Sequence, residues 1–155
     1  MSSKPSLNLF VLLRLVIGIF FVLVSLHKLL SPYQNFLYVI QNYEFLPSGL
    51  EKLSAHLVPW VEFLLGMFLV LGFQLNIVLP AFLALVGSFI LIVSQALIRK
   101  LPIDSCGCFG DSFPMKLNQI LVFDSVLFLV LTLLLANLKK TSVLGLDLLF
   151  SNRRE

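Results

Sequence analysis

Four long stretches of nearly unbroken apolar residues, joined by short polar segments, organise this chain. Leu7–Leu30 is interrupted by Arg14, Leu57–Phe73 carries Glu62, Ile77–Ile98 has no charged residue, and Leu117–Leu138 carries Asp124. An α-helix needs about 20 apolar residues to cross a hydrocarbon core, and each stretch approaches or exceeds that length. The pattern therefore predicts an all-α membrane protein, a four-helix transmembrane bundle formed as one domain over residues 1–155. The first stretch is too long for a signal-peptide core and has no small-residue cleavage site before His27-Lys28, so it is expected to remain as a span.

Two refinements follow from the segments between spans. Tyr33, Phe36, Leu37 and Ile40 recur at helical spacing, which predicts a short interfacial helix between spans one and two, ended by Pro47. Ser48-Gly49-Leu50-Glu51 reads as a capping box, so the second helix should begin well before Leu57, with Ser48 as its cap, and run through Pro59, a site for a kink.

Composition supports lipid as the solvent. Hydrophobic residues make up 59% of the chain and charged residues 12%, against about half and a quarter in soluble domains. The formal net charge of +3 does not point to nucleic acid, because the basic residues are split between short loops and the tail, with no basic stripe. Four spans put both termini on one side, and Ser31–His56 and Arg99–Lys116 on the other. The positive-inside rule does not orient them. Lys4, Lys139, Lys140, Arg153 and Arg154 on the terminal side balance Lys28, Lys52, Arg99, Lys100 and Lys116 opposite, and Arg14 lies within a span, from which it is expected to snorkel to the headgroups. Gly18, Gly66, Gly72 and Gly87 are positions where helices could approach closely. The tail 139–155 reads as a basic interfacial anchor followed by the apolar stretch Val143–Phe150.

The chemistry concentrates in two places. The first is the polar, glycine-rich loop 99–116, where Cys106 and Cys108 flank Gly107 and are followed by Phe109 and Gly110. A disulfide across one residue closes a small ring and restrains almost no chain, so it stabilises little; strained, exposed disulfides exchange readily. A redox pair, a thiolate site for copper or zinc, and a tight turn in which the sulfurs matter little all fit this spacing. His27 and His56 lie on the cysteine side and could complete a tetrahedral set, although the spacing matches no compact zinc motif. Disulfide chemistry needs an oxidising compartment, which favours the cysteine loop in the periplasm and the termini in the cytoplasm of a bacterial inner membrane.

The second place is within the spans. Ionisable residues in hydrocarbon are expensive and mark function or helix pairing. His27 and Lys28 end span one, Glu62 lies toward the start of span two, Gln95 toward the end of span three, and Asn118 and Asp124 in the first half of span four. All fall in the leaflet of the cysteine loop. Glu62 and Asp124 are too short to snorkel well, so an ion pair between Lys28 and Glu62 is expected, with Asp124 facing the bundle interior.

These residues in this order also carry a resemblance. Arg14, Gly18, Lys28 and Pro32, then Pro59-x-x-Glu62-x-x-x-Gly66 and Gly72, then Cys106-Gly107-Cys108-Phe109-Gly110 and Asp124 resemble the DoxX-like/MauE membrane family over nearly the whole chain, most closely its MauE (methylamine utilisation) branch. The resemblance implies a four-helix bundle in the cytoplasmic membrane. It also implies a role in maturing a disulfide-rich periplasmic dehydrogenase subunit, with Cys106 and Cys108 as the redox pair and Lys28, Glu62 and Asp124 as supporting polar positions, a cluster that Gln95 joins by its place in span three. Some relatives act with thioredoxin-like domains or in quinone-linked sulfur oxidation. A soluble periplasmic thioredoxin-like or cysteine-rich client, and a quinone between the helices near Glu62 and Asp124, are the partner and cofactor the resemblance suggests. Together these readings describe a membrane-embedded thiol–disulfide oxidoreductase or maturation factor. The alternative is a non-enzymatic assembly or metal-handling protein.

Overall fold

The computed structural model describes residues 8–101, 103 and 116–142. Its elements are α1 (Leu9–Leu30), α2 (Tyr33–Asn42), α3 (Ser48–Leu71), α4 (Leu75–Ile98), α5 (Leu117–Ala136) and a final turn, α6 (Leu138–Thr141). α1, α3, α4 and α5 are each long and apolar enough to cross a membrane, and α2 is the short helix expected between the first two spans. Leu9, Val16, Leu23, Leu91, Ile98, Val122 and Leu129 are more than half exposed, a surface that only lipid can cover without penalty.

The bundle is built from two close pairs, α1 with α3 and α4 with α5. Gly18 and Gly66 sit opposite each other in the first pair. A Cβ on Gly18 would lie 2.7 Å from Val70 Cγ2 and 3.1 Å from the Gly66 carbonyl oxygen; one on Gly66 would lie 3.1 Å from the Gly18 carbonyl. Backbone thus meets backbone, the small-residue contact that drives helix association in lipid. Gly87 has no such role, since a Cβ there would make only ordinary contact with Phe128 at 3.6 Å. The pairs meet in an apolar core of Ile17, Phe21, Leu69, Phe82, Val86 and Leu131, with the Phe21 and Phe82 rings edge-to-face at 4.6 Å.

Gly72 serves a different purpose from the expected helix contact. It takes the left-handed conformation that ends α3 (φ 65°). Its N–H donates to the Leu69 carbonyl, the Phe73 N–H donates to the Phe68 carbonyl, and the Phe68 and Phe73 rings touch. This Schellman closure satisfies the last carbonyls and turns the chain tightly into α4. Lys100 closes α4 in the same way with φ 52°, directing the Leu101 N–H to the Ala96 carbonyl.

The structure revises three other expectations. The cap position of α3 falls one residue earlier than read: Pro47 holds it and Ser48 is already the first helical residue. Glu51 instead accepts a hydrogen bond from Gln41 of α2. The interfacial helix ends at Asn42, before Pro47, through a turn in which Glu44 adopts φ 46°. Arg14 does not snorkel along a lipid-facing surface. It is 1% exposed, and its Nη1 donates to the Thr141 carbonyl at 2.8 Å, tying α1 to the final turn. Thr141, fully buried, directs its own hydroxyl to the Leu134 and Asn137 carbonyls.

Candidate functional site

α1 ends only two residues beyond Lys28, whereas α3 begins fourteen residues before Glu62. Glu62 therefore lies about 21 Å along its helix, at mid-length rather than near the end where the span boundaries placed it. The early start of α3 explains the difference. Its first turns extend beyond the end of α1 and pack against α2, where the Tyr33 hydroxyl reaches the Lys52 carbonyl and the Tyr33 ring meets His56 edge-on.

At the level where α1 ends, Lys28 and Glu62 pair as expected. Lys28 Nζ lies 2.9 Å from both carboxylate oxygens of Glu62, and the two side chains are 4% and 2% exposed. The ammonium also lies 4.8 Å from the centroid of the Phe36 ring, a cation–π contact from α2. Asp124, seven residues into α5 and 5% exposed, faces the bundle interior within electrostatic reach of both Lys28 and Glu62. Among the described residues no group hydrogen-bonds its carboxylate. Three ionisable side chains from three helices thus converge inside the protein.

Not every polar residue of this leaflet joins them. Gln95 sits near the end of α4 with a buried Oε1 that has no hydrogen-bond partner among the described residues. Asn118 and His27 are exposed. Ser25, one turn before Lys28 and fully buried, returns its hydroxyl to the Phe21 carbonyl at 2.6 Å. Sequence reading passed over Ser25; its spacing of three from Lys28 was the available signal. Among the described residues, no cluster of three or more His, Asp, Glu or Cys could hold a metal ion.

Beside the charges lies a cavity of about 310 Å³ between α2, α3 and α4. Lys28 forms its polar wall; Phe36, Tyr43, Phe45, Val58, Phe89 and Val93 supply much of the rest. The cavity exists because α3 and α4, joined tightly at Gly72, make few close contacts elsewhere, and α2 bridges the gap. No periodicity announced it, because it depends on how two helices diverge.

Cys106, Gly107, Cys108, Phe109 and Gly110 lie outside the described residues, as does the apolar tail segment Val143–Phe150. The chain flanking the cysteine segment is described. Leu101 and Ile103 pack against a core cluster of Val24, Tyr43, Val93, Ala96, Leu117 and Ile120, which shares Tyr43 and Val93 with the cavity wall. On the same rim Arg99 pairs with Glu44 at 3.0 Å and donates to its carbonyl.

No curated protein and no solved structure matches the chain. A family model, described as methylamine utilisation protein MauE, matches residues 6–137 and so takes in all four spans, the cysteine segment, Lys28, Glu62 and Asp124. With four apolar helices long enough to cross a bilayer and this match over most of its length, the chain belongs to the MauE family of membrane proteins in methylamine utilisation.

Proposed function

We propose that this protein is a membrane-embedded thiol–disulfide oxidoreductase or maturation factor that works on periplasmic partners, with Cys106 and Cys108 as its exchanging pair. One observation carries the reading: a Cys-Gly-Cys-Phe-Gly segment lies inside the MauE-matched residues, between two spans whose ends converge on the rim above a buried cluster of ionisable residues. The reading sets the bundle in the bacterial inner membrane, with residues 99–116 in the periplasm and both termini, including the tail 139–155, in the cytoplasm.

The chemistry balances as an exchange. A thiolate of a thioredoxin-like or cysteine-rich client attacks one sulfur of the Cys106–Cys108 disulfide, forms a mixed disulfide and expels the other sulfur as a thiolate, which takes up a proton. The client's second thiolate then attacks its own sulfur in the mixed disulfide, leaving the client oxidised and both cysteines as thiols. Their reoxidation releases two electrons and two protons to an acceptor, for which a membrane quinone has the right stoichiometry.

A mobility-shift assay with a thiol-reactive polymer in intact cells tests the core of this reading. Cys106 and Cys108 should be found oxidised during growth in air, and Cys106→Ser should abolish client maturation. Both thiols staying reduced, with maturation intact in Cys106→Ser, would sink it. Labelling of Cys106 by a bulky impermeant reagent from the periplasmic side is the corresponding topology result. Metal that co-purifies with the native protein and is lost with both cysteines would instead favour thiolate metal handling.

A further inference from the structure

We propose that Lys28, Glu62 and Asp124 form a buried proton-binding site, in which Asp124 carries one exchangeable proton beside an ionised Lys28–Glu62 pair. The site needs neither the cysteines nor a ligand from the membrane, so it stands apart from the redox reading above.

The buried face of α5 is a stripe of Leu117, Ile120, Asp124, Leu127, Leu131 and Leu134. Asp124 is its one polar member, an acid where the helical repeat otherwise places Leu or Ile. It lies about 10 Å below the start of α5 and is 5% exposed, too deep and too short to reach water. An ionised carboxylate there needs hydrogen-bond donors or a cation of its own. Among the described residues it has neither. No group hydrogen-bonds it. The Lys28 ammonium is within electrostatic reach, but both Glu62 oxygens hold it at 2.9 Å.

The surrounding elements bring no second cation to this level. α2 and α4 contain no charged residue. On α1, His27 is exposed and Arg14 lies fourteen residues from Lys28, about 21 Å along the helix. On α3, Glu51, Lys52 and His56 lie in the first turns, with Lys52 and His56 exposed. Lys116 is exposed at the cap of α5, and Lys139 and Lys140 are exposed at the opposite end of the bundle. Tyr43, packed in the cluster with Leu117 and Ile120, brings a hydroxyl but no charge. Among the described residues the buried charges here are therefore one ammonium and two carboxylates. With both carboxylates ionised, an uncompensated negative charge remains in hydrocarbon, which is expensive. One bound proton restores neutrality. The two-pronged contact keeps Lys28 and Glu62 ionised, so the proton falls to Asp124. A metal cation is the other way to balance the charge. Such an ion wants about six oxygen ligands, and among the described residues no cluster of three or more His, Cys, Asp or Glu side chains could hold one. Loss of the proton leaves two carboxylates against one ammonium, so the site refills unless positive charge arrives nearby. It thereby couples proton uptake and release to charge inside the bundle.

Infrared spectroscopy of the purified protein in lipid nanodiscs at neutral pH tests the assignment. The C=O stretch of a protonated carboxyl should be present, shift on transfer to heavy water and vanish in Asp124→Asn, a variant close enough in shape to keep the fold. Unfolding by sodium dodecyl sulfate in weakly buffered solution should release about one more proton from the native chain than from Asp124→Asn, because the acid ionises once exposed. Folded Lys28→Met should show the band doubled, as the stranded Glu62 takes up a proton of its own. A native protein without the band, or a band that survives Asp124→Asn, would overturn the site. So would a band lost when sodium chloride replaces choline chloride, which would identify a metal cation as the counter-charge. A band unmoved by long exposure to heavy water would make Asp124 a locked structural acid. An unchanged band in folded Lys28→Met would break the charge balance on which the site rests.

Discussion

Removing one member of the Lys28–Glu62 pair should destabilise the bundle far more than removing both. Two unit charges 2.9 Å apart attract by about 6 kcal/mol at an effective dielectric of ~20. Desolvation of each ion opposes this by several kcal/mol, so the pair's net worth is small, but stranding one charge costs about 3–5 kcal/mol. The structure also predicts an asymmetry. Lys28 is two residues from the end of α1 and carries a long stem, so without Glu62 its ammonium can swing to the rim. Glu62 is short and fourteen residues inside α3, so without Lys28 its carboxylate is trapped. Lys28→Met should therefore cost about 3–5 kcal/mol and Glu62→Leu about 1–3 kcal/mol. The double replacement should fall within about 1 kcal/mol of the native chain, because matched apolar side chains remove desolvation and attraction together. Reversible unfolding in mixed micelles, titrated with sodium dodecyl sulfate, measures all four proteins. Additive costs, with the double variant as unstable as the two singles summed, would refute the coupling. Equal costs for the two singles would refute the depth assignment.

Four further outcomes are expected. Gly18→Ala should lose about 1–3 kcal/mol in the same titration, because its Cβ meets backbone that cannot yield, whereas Gly87→Ala should stay within about 0.5 kcal/mol. Arg14→Met, which takes the Nη1 donor from the Thr141 carbonyl, should cost about 1.5–3 kcal/mol and speed amide exchange across residues 138–142 by mass spectrometry, while leaving α2 unchanged. Arg99→Ala should cost less than about 1 kcal/mol, since the pair with Glu44 is about half exposed on both sides and well screened. Lys100→Gly should raise stability by about 1 kcal/mol, because the left-handed closure of α4 strains any residue with a Cβ.

The spans were legible because hydrocarbon imposes a single rule, an apolar helix of sufficient length, that composition alone satisfies. The Lys28–Glu62 pair was legible for a related reason: few charges occur in these helices, and each needs a partner. Reading failed where backbone geometry decided the outcome. Ser48 and Glu51 have the right types and spacing for a capping box, yet Pro47, with its fixed φ and missing N–H, takes the cap position and shifts the helix start by one residue. Gly72 could not be told from Gly18 or Gly66 by spacing, although one closes a helix and the others join two. Arg14 has a stem long enough to snorkel, and only the return of the chain at Thr141 offers it a buried carbonyl. The extent of α3 beyond the end of α1 was not legible, because its first turns lie outside the hydrophobic window that marks the span.

The α3–α4 hairpin is sealed at Gly72 and parts only toward the opposite rim, where α2 bridges it. Such a wedge communicates with one leaflet alone. A guest whose head resides in the other monolayer must flip across before it can enter, so occupancy will follow the makeup of the adjoining monolayer rather than the membrane average.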